Sequence, residues 1–257
     1  MTGQALLSTD RLDKKFGGLH AIRQVSLSIP EHCIYGLIGP NGAGKTTLFN
    51  IITGFYSADS GEILFRGKSL QQQSVNQIVD AGIARTFQNI RLFKQLTALE
   101  NVMVGCHPRS HSGLLGAIFK GSATRKEEAA ILERSRYLLD YVGLSPVGNQ
   151  LAQTLSYGDQ RRLEIARALA TQPVLLALDE PAAGMNPSET RQLRSLIEKI
   201  CADGISVLMI EHDMKLMMDL CHRLLVLDHG EVIAEGQPAD VRRHPKVIEA
   251  YLGISST

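Results

Sequence analysis

Short, almost purely apolar runs recur along the chain and predict the strands of a sheet. Residues 33–38, 174–178 and 205–210 are three such runs, each bounded by glycine, proline or charged residues. Runs of this length are typical of strands that are buried on both faces. Residues 25–29 instead alternate between large apolar side chains and serine, which predicts a strand with one face in solvent. Residues 223–234 predict a hairpin that turns at Asp-His-Gly.

Helical patterns lie between these strands. Residues 45–53 predict a helix directly after a buried strand, and mixed charged and apolar residues over 125–141 predict an amphipathic helix. Between the last two buried runs, four large side chains recur at the spacing of one helix face: Leu193, Leu196, Ile197 and Ile200. Because strands and helices alternate, we predict an α/β fold with a mostly parallel sheet covered by helices. Residues 105–123, rich in glycine, serine and histidine, predict a surface connection.

Composition narrows the class of protein. The 257 residues are 44% apolar and 21% charged, which is ordinary for a globular chain, and the length suits one domain with an inserted lobe. The formal net charge of +1 argues against a nucleic-acid binder, which usually carries an excess of basic residues. The sequence shows neither a secretory signal pattern nor an apolar run long enough to span a membrane. We therefore expect a cytosolic chain that other proteins bring to any membrane it serves.

The cysteines and two of the histidines are candidates for disulfide or metal sites. The four cysteines are scattered through apolar stretches without a close pair: Cys33, Cys106, Cys201 and Cys221. We expect them to be small buried side chains in a reducing compartment. His107 and His111 have the spacing of metal ligands on a helix, but Pro108 and Gly113 predict a loop and no third ligand is near.

The strongest functional signal follows the first buried strand. It fits the pattern G-x-x-x-x-G-K-[ST] between a strand and a helix, where a phosphate-binding loop must lie. Its glycines let successive backbone amides turn inward toward an anion. Lys45 supplies a positive charge to the β- and γ-phosphates, and Thr46 offers a hydroxyl to Mg²⁺. We call this predicted triphosphate site the phosphate loop: Gly39, Pro40, Asn41, Gly42, Ala43, Gly44, Lys45 and Thr46, with Thr47 following.

An acidic pair follows the apolar run at 174–178. We expect Asp179 to emerge at the carboxyl edge of the sheet, where ligands of open α/β sheets bind, and to hold Mg²⁺ through water. Glu180 is placed to polarise a water molecule that attacks the phosphate. The alternative is that both carboxylates only cap the next segment of the chain.

Residues 155–160, here called the signature segment, discriminate among families of phosphate-loop proteins. Their sequence, Leu-Ser-Tyr-Gly-Asp-Gln, resembles the L-S-G-G-Q signature of ATP-binding cassette (ABC) ATPases, with Tyr157 in place of the first glycine. In that family the signature meets the γ-phosphate of ATP bound by the opposite subunit. The resemblance therefore implies a dimer in which Ser156 and Gly158 contact nucleotide. Alternatively, Ser156 is an ordinary N-cap of a helix over 158–170.

Further residues match ABC motifs in order and spacing. By resemblance, Gln88 contacts Mg²⁺ or the attacking water and senses the membrane partner, His212 contacts the γ-phosphate, and Phe16 stacks on adenine. Phe16 is also compatible with a core position. Asn186 stands where the family commonly has aspartate. With a proline after it and a glutamate three residues on, it also predicts the start of a helix.

The resemblance covers nearly the whole chain and is strongest to the LivG-type ATPase subunits of branched-chain amino-acid importers. The matching segments are 16–18, 39–46, 53–56, 85–88, 91–93, 157–167, 178–184, 211–215 and 247–253. It implies a P-loop NTPase core with a mostly parallel sheet, an N-terminal antiparallel β subdomain and an inserted α-helical subdomain. Within a single ABC ATP-binding domain, 1–257, we predict the core and β subdomain at 1–88 and 172–257 and the helical subdomain at 89–171.

The implied function is ATP hydrolysis that powers the uptake of branched-chain amino acids at the cytoplasmic face of the plasma membrane. ATP and Mg²⁺ are the implied cofactors. The implied partners are a second ABC ATPase subunit, alike or different, transmembrane permease subunits and, indirectly, an external substrate-binding protein. Similar ATPases serve urea or amide import, or lipid and lipopolysaccharide export, so these cargoes stay open. An ABC ATPase that acts on nucleic acid usually carries a long coiled-coil insertion or a second cassette, and this chain has neither.

Overall fold

The strands of the molecule form two sheets. The computed structural model describes residues 5–106 and 122–252. The smaller sheet is antiparallel and has the order β2-β1-β4-β5, with β1 at Leu7–Phe16, β2 at Leu19–Ile29, β4 at Ser60–Phe65 and β5 at Lys68–Ser69. Strand β2 buries Val25, Leu27 and Ile29 and exposes the serines between them, which confirms the predicted alternation.

The larger sheet has the order β10-β9-β3-β8-β7-β6 and carries the predicted functional segments. Five strands run parallel: β3 at Ile34–Ile38, β6 at Ile83–Arg85, β7 at Leu175–Asp179, β8 at Ser206–Ile210 and β9 at Arg223–Asp228. The last strand, β10 at Glu231–Gly236, pairs antiparallel with β9 through the predicted hairpin turn. Every residue of β3, β7 and β8 is buried, as their apolar sequences predict.

Helices connect and cover these strands. They are α1 at Lys45–Ile52, α2 at Val75–Ala81, α3 at Ala98–Cys106, α4 at Ser122–Tyr141, α5 at Tyr157–Ala170, α6 at Pro187–Ala202, α7 at Met214–Leu220, α8 at Pro238–Val241 and α9 at Pro245–Leu252. Helices α3, α4 and α5 pack against one another. The division of the chain at 88/89 and 171/172 stays a prediction.

Two helix starts follow the predicted capping chemistry. The Asn186 side chain accepts hydrogen bonds from the amides of Ser188 and Glu189, and the Glu189 carboxylate accepts one from the Asn186 amide. This reciprocal pair satisfies amides that α6 cannot pair internally. Ser156 caps α5 through a single contact, in which its hydroxyl oxygen accepts a hydrogen bond from the amide of Asp159 at 3.2 Å. The alternative of an N-cap at Ser156 is therefore confirmed, and it leaves a role toward nucleotide open.

Several elements are absent from the sequence predictions. Strand β1, the short strand β6, helices α2 and α3 and the two C-terminal helices are not predicted by the apolar pattern. The expected surface connection over 105–123 is wrong at its ends: Gly105 and Cys106 are buried in α3, and α4 begins at Ser122. Residues 107–121, which include His107 and His111, lie outside the described residues.

Burial of the cysteines agrees with the sequence. Cys33, Cys106, Cys201 and Cys221 are all buried and none forms a disulfide. In the described part of the chain, no helix combines the length and apolarity needed to cross a membrane.

A close approach at Gly36 in β3 gives a test of the packing. A β-carbon there would lie 2.5 Å from both Leu224 Cδ2 and Met217 Cε and 2.7 Å from Cys221 Sγ. Gly36→Ala should therefore lower the free energy of unfolding by about 1–3 kcal/mol, the usual cost of overpacking, as measured by urea denaturation. Gly18→Ala is the control because nothing lies within 4 Å of its β-carbon position. Equal effects of the two substitutions would contradict this account.

Candidate functional site

The predicted functional residues meet at one edge of the larger sheet. The neighbouring parallel strands β3, β8, β7 and β6 all end there. The loops that follow these strands carry, in the same order, the phosphate loop, His212, Glu180 and Gln88. Strand order thus brings together residues that are far apart in the sequence, at the edge where open α/β sheets bind ligands.

Backbone conformation explains the glycines of the phosphate loop. Gly39, Gly42 and Gly44 have φ angles of 148°, 80° and 100°, which side chains with a β-carbon rarely adopt. A β-carbon at Gly39 would also lie 2.0 Å from the carbonyl oxygen of Leu227 in β9. The loop can therefore pack this closely against β9 only with glycine at position 39.

Lys45 begins helix α1 directly after this curl. Its Nζ donates to the carbonyl oxygens of Gly39, at 2.6 Å, and Pro40, at 2.8 Å, and the residue is only 7% exposed. Burial lowers the pKa of the Lys45 ammonium, and the negative charge of Glu180 opposes that shift. The structure therefore holds a cation against the amide-lined loop, as binding of a phosphate chain requires.

A cavity of about 430 Å³ joins the loop to the predicted catalytic groups. Most of the predicted residues line it: Asn41, Gly42, Ala43, Gly44, Lys45, Thr46, Thr47, Gln88, Glu180 and His212. The remaining lining residues are Leu19, His20, Ala21, Arg23 and His229. Strand β2 and the β9–β10 turn therefore also contribute to the wall of the cavity.

Glu180 is held from two sides. Its Oε2 accepts a hydrogen bond from the Gln88 amide at 2.8 Å, and its Oε1 lies 2.8 Å from His212 Nε2. The Glu180 backbone has φ +47°, and non-glycine residues in such sparsely populated conformations cluster at functional sites. Gln88, Glu180 and His212, predicted separately from the sequence, thus form one hydrogen-bonded group.

Asp179 lies deeper, just behind the cavity lining. It is 5% exposed, and its Oδ2 accepts a hydrogen bond from the Arg85 guanidinium at 2.7 Å. Burial raises the pKa of the Asp179 carboxyl, while Arg85 acts in the opposite direction. Asp179 therefore keeps one carboxylate oxygen that Arg85 does not engage, and its role toward Mg²⁺ stays a prediction.

Arg85 is a site residue that the sequence predictions miss. Its guanidinium also donates to Asn50 Oδ1 at 2.6 Å and Thr53 Oγ1 at 2.9 Å. Three phenylalanine rings surround it, with centroids 4.7, 4.7 and 5.1 Å away: Phe49, Phe55 and Phe87. A single charge at the end of a three-residue strand has no distinctive sequence pattern, so only tertiary contacts reveal it.

Glu211 is a second missed residue. It is 5% exposed, and its carboxylate accepts hydrogen bonds from the amides of Ala182, at 2.6 Å, and His212, at 3.1 Å. Burial raises its pKa, and the nearby charge of Glu180 adds to that effect. Glu211 thus ties the loop after Glu180 to the loop that carries His212. An acid directly after a buried strand, as at Asp179, is the signal that could have found it.

Six predicted residues are not part of the cavity lining: Gly39 and Pro40 of the phosphate loop, Asp179, and the more distant Ser156, Gly158 and Phe16. Ser156 and Gly158 are at the start of α5, where a β-carbon on Gly158 would lie 2.8 Å from the Glu189 carboxylate. Phe16 is 41% exposed and makes an edge contact with Tyr56, with ring centroids 5.3 Å apart. The alternative that Phe16 is a core residue is therefore wrong.

The phosphate loop, the acidic pair Asp179–Glu180 and the order of the strands are together typical of a phosphate-loop nucleotide-binding protein. The family model described as ABC transporter matches residues 22–183. The chain therefore belongs to the ABC transporter family, as its ATP-binding cassette. A further model, described as branched-chain amino acid ATP-binding cassette transporter, matches residues 231–255.

Named relatives match over almost their whole length. The chain is 46% identical to the high-affinity branched-chain amino acid transport ATP-binding protein LivG of Salmonella typhimurium, over 97% of this chain and 98% of that protein. It is 45% identical to the corresponding protein BraF of Pseudomonas aeruginosa, over 96% of this chain and 98% of that protein.

Solved structures confirm the fold. An ATP-binding cassette of an ABC transporter in its ADP conformation superposes with a TM-score of 0.85 at 34% identity, covering 98% of this chain and 100% of that one. A dimeric cassette in a post-hydrolysis state, bound to ADP and phosphate, superposes with a TM-score of 0.76 at 25% identity, covering 90% and 98%. The predicted ABC ATPase architecture is confirmed.

The Arg85–Asp179 ion pair gives a test that does not depend on activity. Both side chains are nearly buried, at 10% and 7% exposure, so Arg85→Met should leave a buried charge unpaired. We expect the free energy of unfolding to fall by about 3–5 kcal/mol. The double variant Arg85→Met/Asp179→Asn should lose less than the sum of the single losses, because neither charge then remains alone.

A matched control comes from the exposed pair Arg194–Glu198 on α6, whose atoms approach to 3.0 Å. Arg194→Met should change the free energy of unfolding by less than about 1 kcal/mol. Similar losses at both arginines, or strict additivity in the double variant, would contradict a coupled buried pair.

Proposed function

We propose that this chain is the ATP-hydrolysing subunit of an importer for branched-chain amino acids, bound to permease subunits at the cytoplasmic face of the plasma membrane. The observation that carries the hydrolytic part is the convergence of Gln88, Glu180 and His212 on the cavity beside the phosphate loop. The cargo rests on the names of relatives that are 45–46% identical over nearly the full chain.

The chemistry is phosphoryl transfer to water, in which positioning and charge neutralisation supply most of the catalysis. The oxygen of a water molecule attacks the γ-phosphorus, the bond from that phosphorus to the bridging oxygen of ADP breaks, and the proton of the water passes to Glu180. Lys45 and the loop amides neutralise the growing charge on the phosphates. Gln88 and His212 orient Glu180, while His212 is also placed to meet the γ-phosphate. Phe16, exposed beside Tyr56, would stack on the adenine.

The donor set also fits Mg²⁺, which prefers oxygen ligands. Thr46 offers a hydroxyl and Gln88 an amide oxygen on the cavity lining, and Asp179 keeps one carboxylate oxygen that Arg85 does not engage. We propose that these three residues hold the ion, with Asp179 acting through water. When bound, the ion would neutralise charge on the β- and γ-phosphates.

A complete site requires a second ABC ATPase subunit. Ser156 and Gly158 lie outside the lining of this chain's own cavity, so we propose that they contact ATP held by the partner. The first turn of α5, capped by Ser156, presents free amides and a positive dipole end that suit a phosphate.

The permease contact is proposed at a second groove. A cavity of about 530 Å³ lies between the segment after β6 and helices α3 and α5. Its lining includes Phe87, Arg91, Phe93 and Val104. We propose that residues 88–104 grip a cytoplasmic helix of the permease and that residues 89–171 move as the helical subdomain. An external binding protein would deliver cargo to the permease.

Glu180→Gln should separate nucleotide binding from turnover. The amide keeps the size of the side chain but cannot accept the proton, so we expect the ATPase rate to fall by about 10²- to 10⁴-fold while ATP binding is retained and an ATP-stabilised dimer accumulates. Phosphate release and size-exclusion chromatography measure the two effects. Glu198→Gln, on an exposed face of α6, is the control. Near-normal hydrolysis by Glu180→Gln would rule out Glu180 as the base.

Lys45→Ala should act on binding itself. Loss of a charge-assisted contact of about 1.5–3 kcal/mol predicts ATP affinity about 10- to 100-fold weaker in a calorimetric titration. Lys199→Ala, which removes a lysine from above the Tyr141 ring, is the matched control. Unchanged affinity in Lys45→Ala would exclude the phosphate loop as the nucleotide site.

The cargo is tested by transport. Cells that lack this chain should lose ATP-dependent uptake of labelled leucine, isoleucine and valine and regain it with the wild-type chain but not with Glu180→Gln. Retained leucine uptake together with loss of urea or amide uptake, or a defect in lipid export, would overturn the assigned cargo and leave the ATPase assignment standing.

A further inference from the structure

A buried ion pair lies on α5, outside the nucleotide cavity. The Arg161 guanidinium and the Glu164 carboxylate approach to 3.2 Å, one turn apart, and the side chains are only 2% and 1% exposed. Burying two charges carries a desolvation cost that often exceeds their attraction, so such a pair is weak evidence for stability alone. The other hydrogen bonds of Arg161 and Glu164 indicate a more specific role for the pair.

Both members of the pair bind the backbone of residues 85–91, here called the linking segment. Arg161 donates to the carbonyl oxygens of Phe87 and Gln88, and Glu164 Oε1 accepts from the amides of Phe87, at 3.4 Å, and Arg91, at 3.3 Å. The positive guanidinium thus binds carbonyl oxygens of the linking segment, and the negative carboxylate binds its amides. This arrangement restrains both the position and the rotation of the stretch, because four of its backbone groups, two amides and two carbonyls, each have a charged partner of the right polarity.

The same linking segment reaches both acids of the site. From it, Arg85 donates to Asp179 at 2.7 Å and Gln88 donates to Glu180 at 2.8 Å. The consecutive residues Asp179 and Glu180 are therefore held from one segment, and that segment is held in turn by α5. Arg161 also contacts the Tyr157 hydroxyl at 3.1 Å, within the signature segment.

We propose that Arg161 and Glu164 are positioning residues: they fix the linking segment so that the Gln88 amide meets Glu180. The proposal rests on the proposed function, since it assigns Gln88 and Glu180 to hydrolysis. A continuous set of contacts then runs from Tyr157, at the start of α5, to the catalytic carboxylate. If a partner subunit displaced the first turn of α5, the Arg161–Glu164 pair would move the linking segment and so shift the Gln88 amide relative to Glu180.

Two variants test the pair. Glu164→Gln keeps the shape but replaces one carboxylate oxygen with an amide donor, and Arg161→Lys keeps the charge but loses the planar fork that binds two carbonyls. Each should lower kcat about 10-fold or more through misplacement of Gln88, while the KM for ATP stays within about twofold because the phosphate loop is untouched. Hydrogen exchange at the Phe87 and Arg91 amides should accelerate in Glu164→Gln.

The control is Arg162→Met on the next residue of α5. Arg162 pairs with Asp159 at 2.5 Å and is about a quarter exposed, and it donates to the Val142 carbonyl rather than to the linking segment. Its kcat and its exchange at residues 87 and 91 should match the wild-type values. A double variant, Arg161→Met/Glu164→Leu, removes both charges and gives the same readouts should a single variant not fold.

The possible outcomes separate the two proposals. Wild-type kcat in folded Glu164→Gln and Arg161→Lys, or equal losses in Arg162→Met, would overturn the positioning role. A rise in KM without a fall in kcat would also overturn it. Absence of ATP hydrolysis by the wild-type chain with its permease would overturn the proposed function, and exchange at Phe87 and Arg91 would still decide whether the pair fixes the linking segment.

Discussion

The site depends on the way the Glu180 carboxylate is held between two other strand ends. One oxygen accepts from Gln88, which follows β6, and the other meets His212, which follows β8. Glu180 itself follows β7, the strand between them. These contacts exist only because three parallel strands end side by side, and the fourth, β3, brings the phosphate loop to the same edge. The buried apolar strands thus have a catalytic consequence: their register sets where each polar residue emerges.

Three carboxylates, Asp179, Glu180 and Glu211, lie close together at this edge and repel one another. Neighbouring hydrogen-bond donors offset this repulsion. Asp179 and Glu211 are both nearly buried, and the pKa of each is raised by burial and by the charge of Glu180. The Arg85 guanidinium balances Asp179, and backbone amides of Ala182 and His212 balance Glu211.

Much of this arrangement is readable from the sequence because its signals are local. The phosphate loop, the buried runs of β3, β7 and β8, and the Asn186 helix start each depend on neighbouring residues. Strand β1 escapes prediction because register shifts near Leu12 and Lys14 break its two-residue period. Arg85 and Glu211 escape because their roles come from partners far along the chain, and the Arg161–Glu164 pair is hidden within an ordinary helix. Local chemistry identifies the ligand, whereas tertiary contacts identify the residues that orient the catalytic group.

The central claim is that this edge binds the phosphate chain of a nucleotide, and a calorimetric titration with ATP, ADP and AMP tests it most directly. Because we propose that Lys45 and the loop amides contact the β- and γ-phosphates, AMP should bind at least about 100-fold more weakly than ATP, a difference of about 2.7 kcal/mol. ADP should retain much of the affinity because it keeps the β-phosphate. Equal affinity for the three nucleotides would contradict the account, since recognition would then lie in the base and sugar.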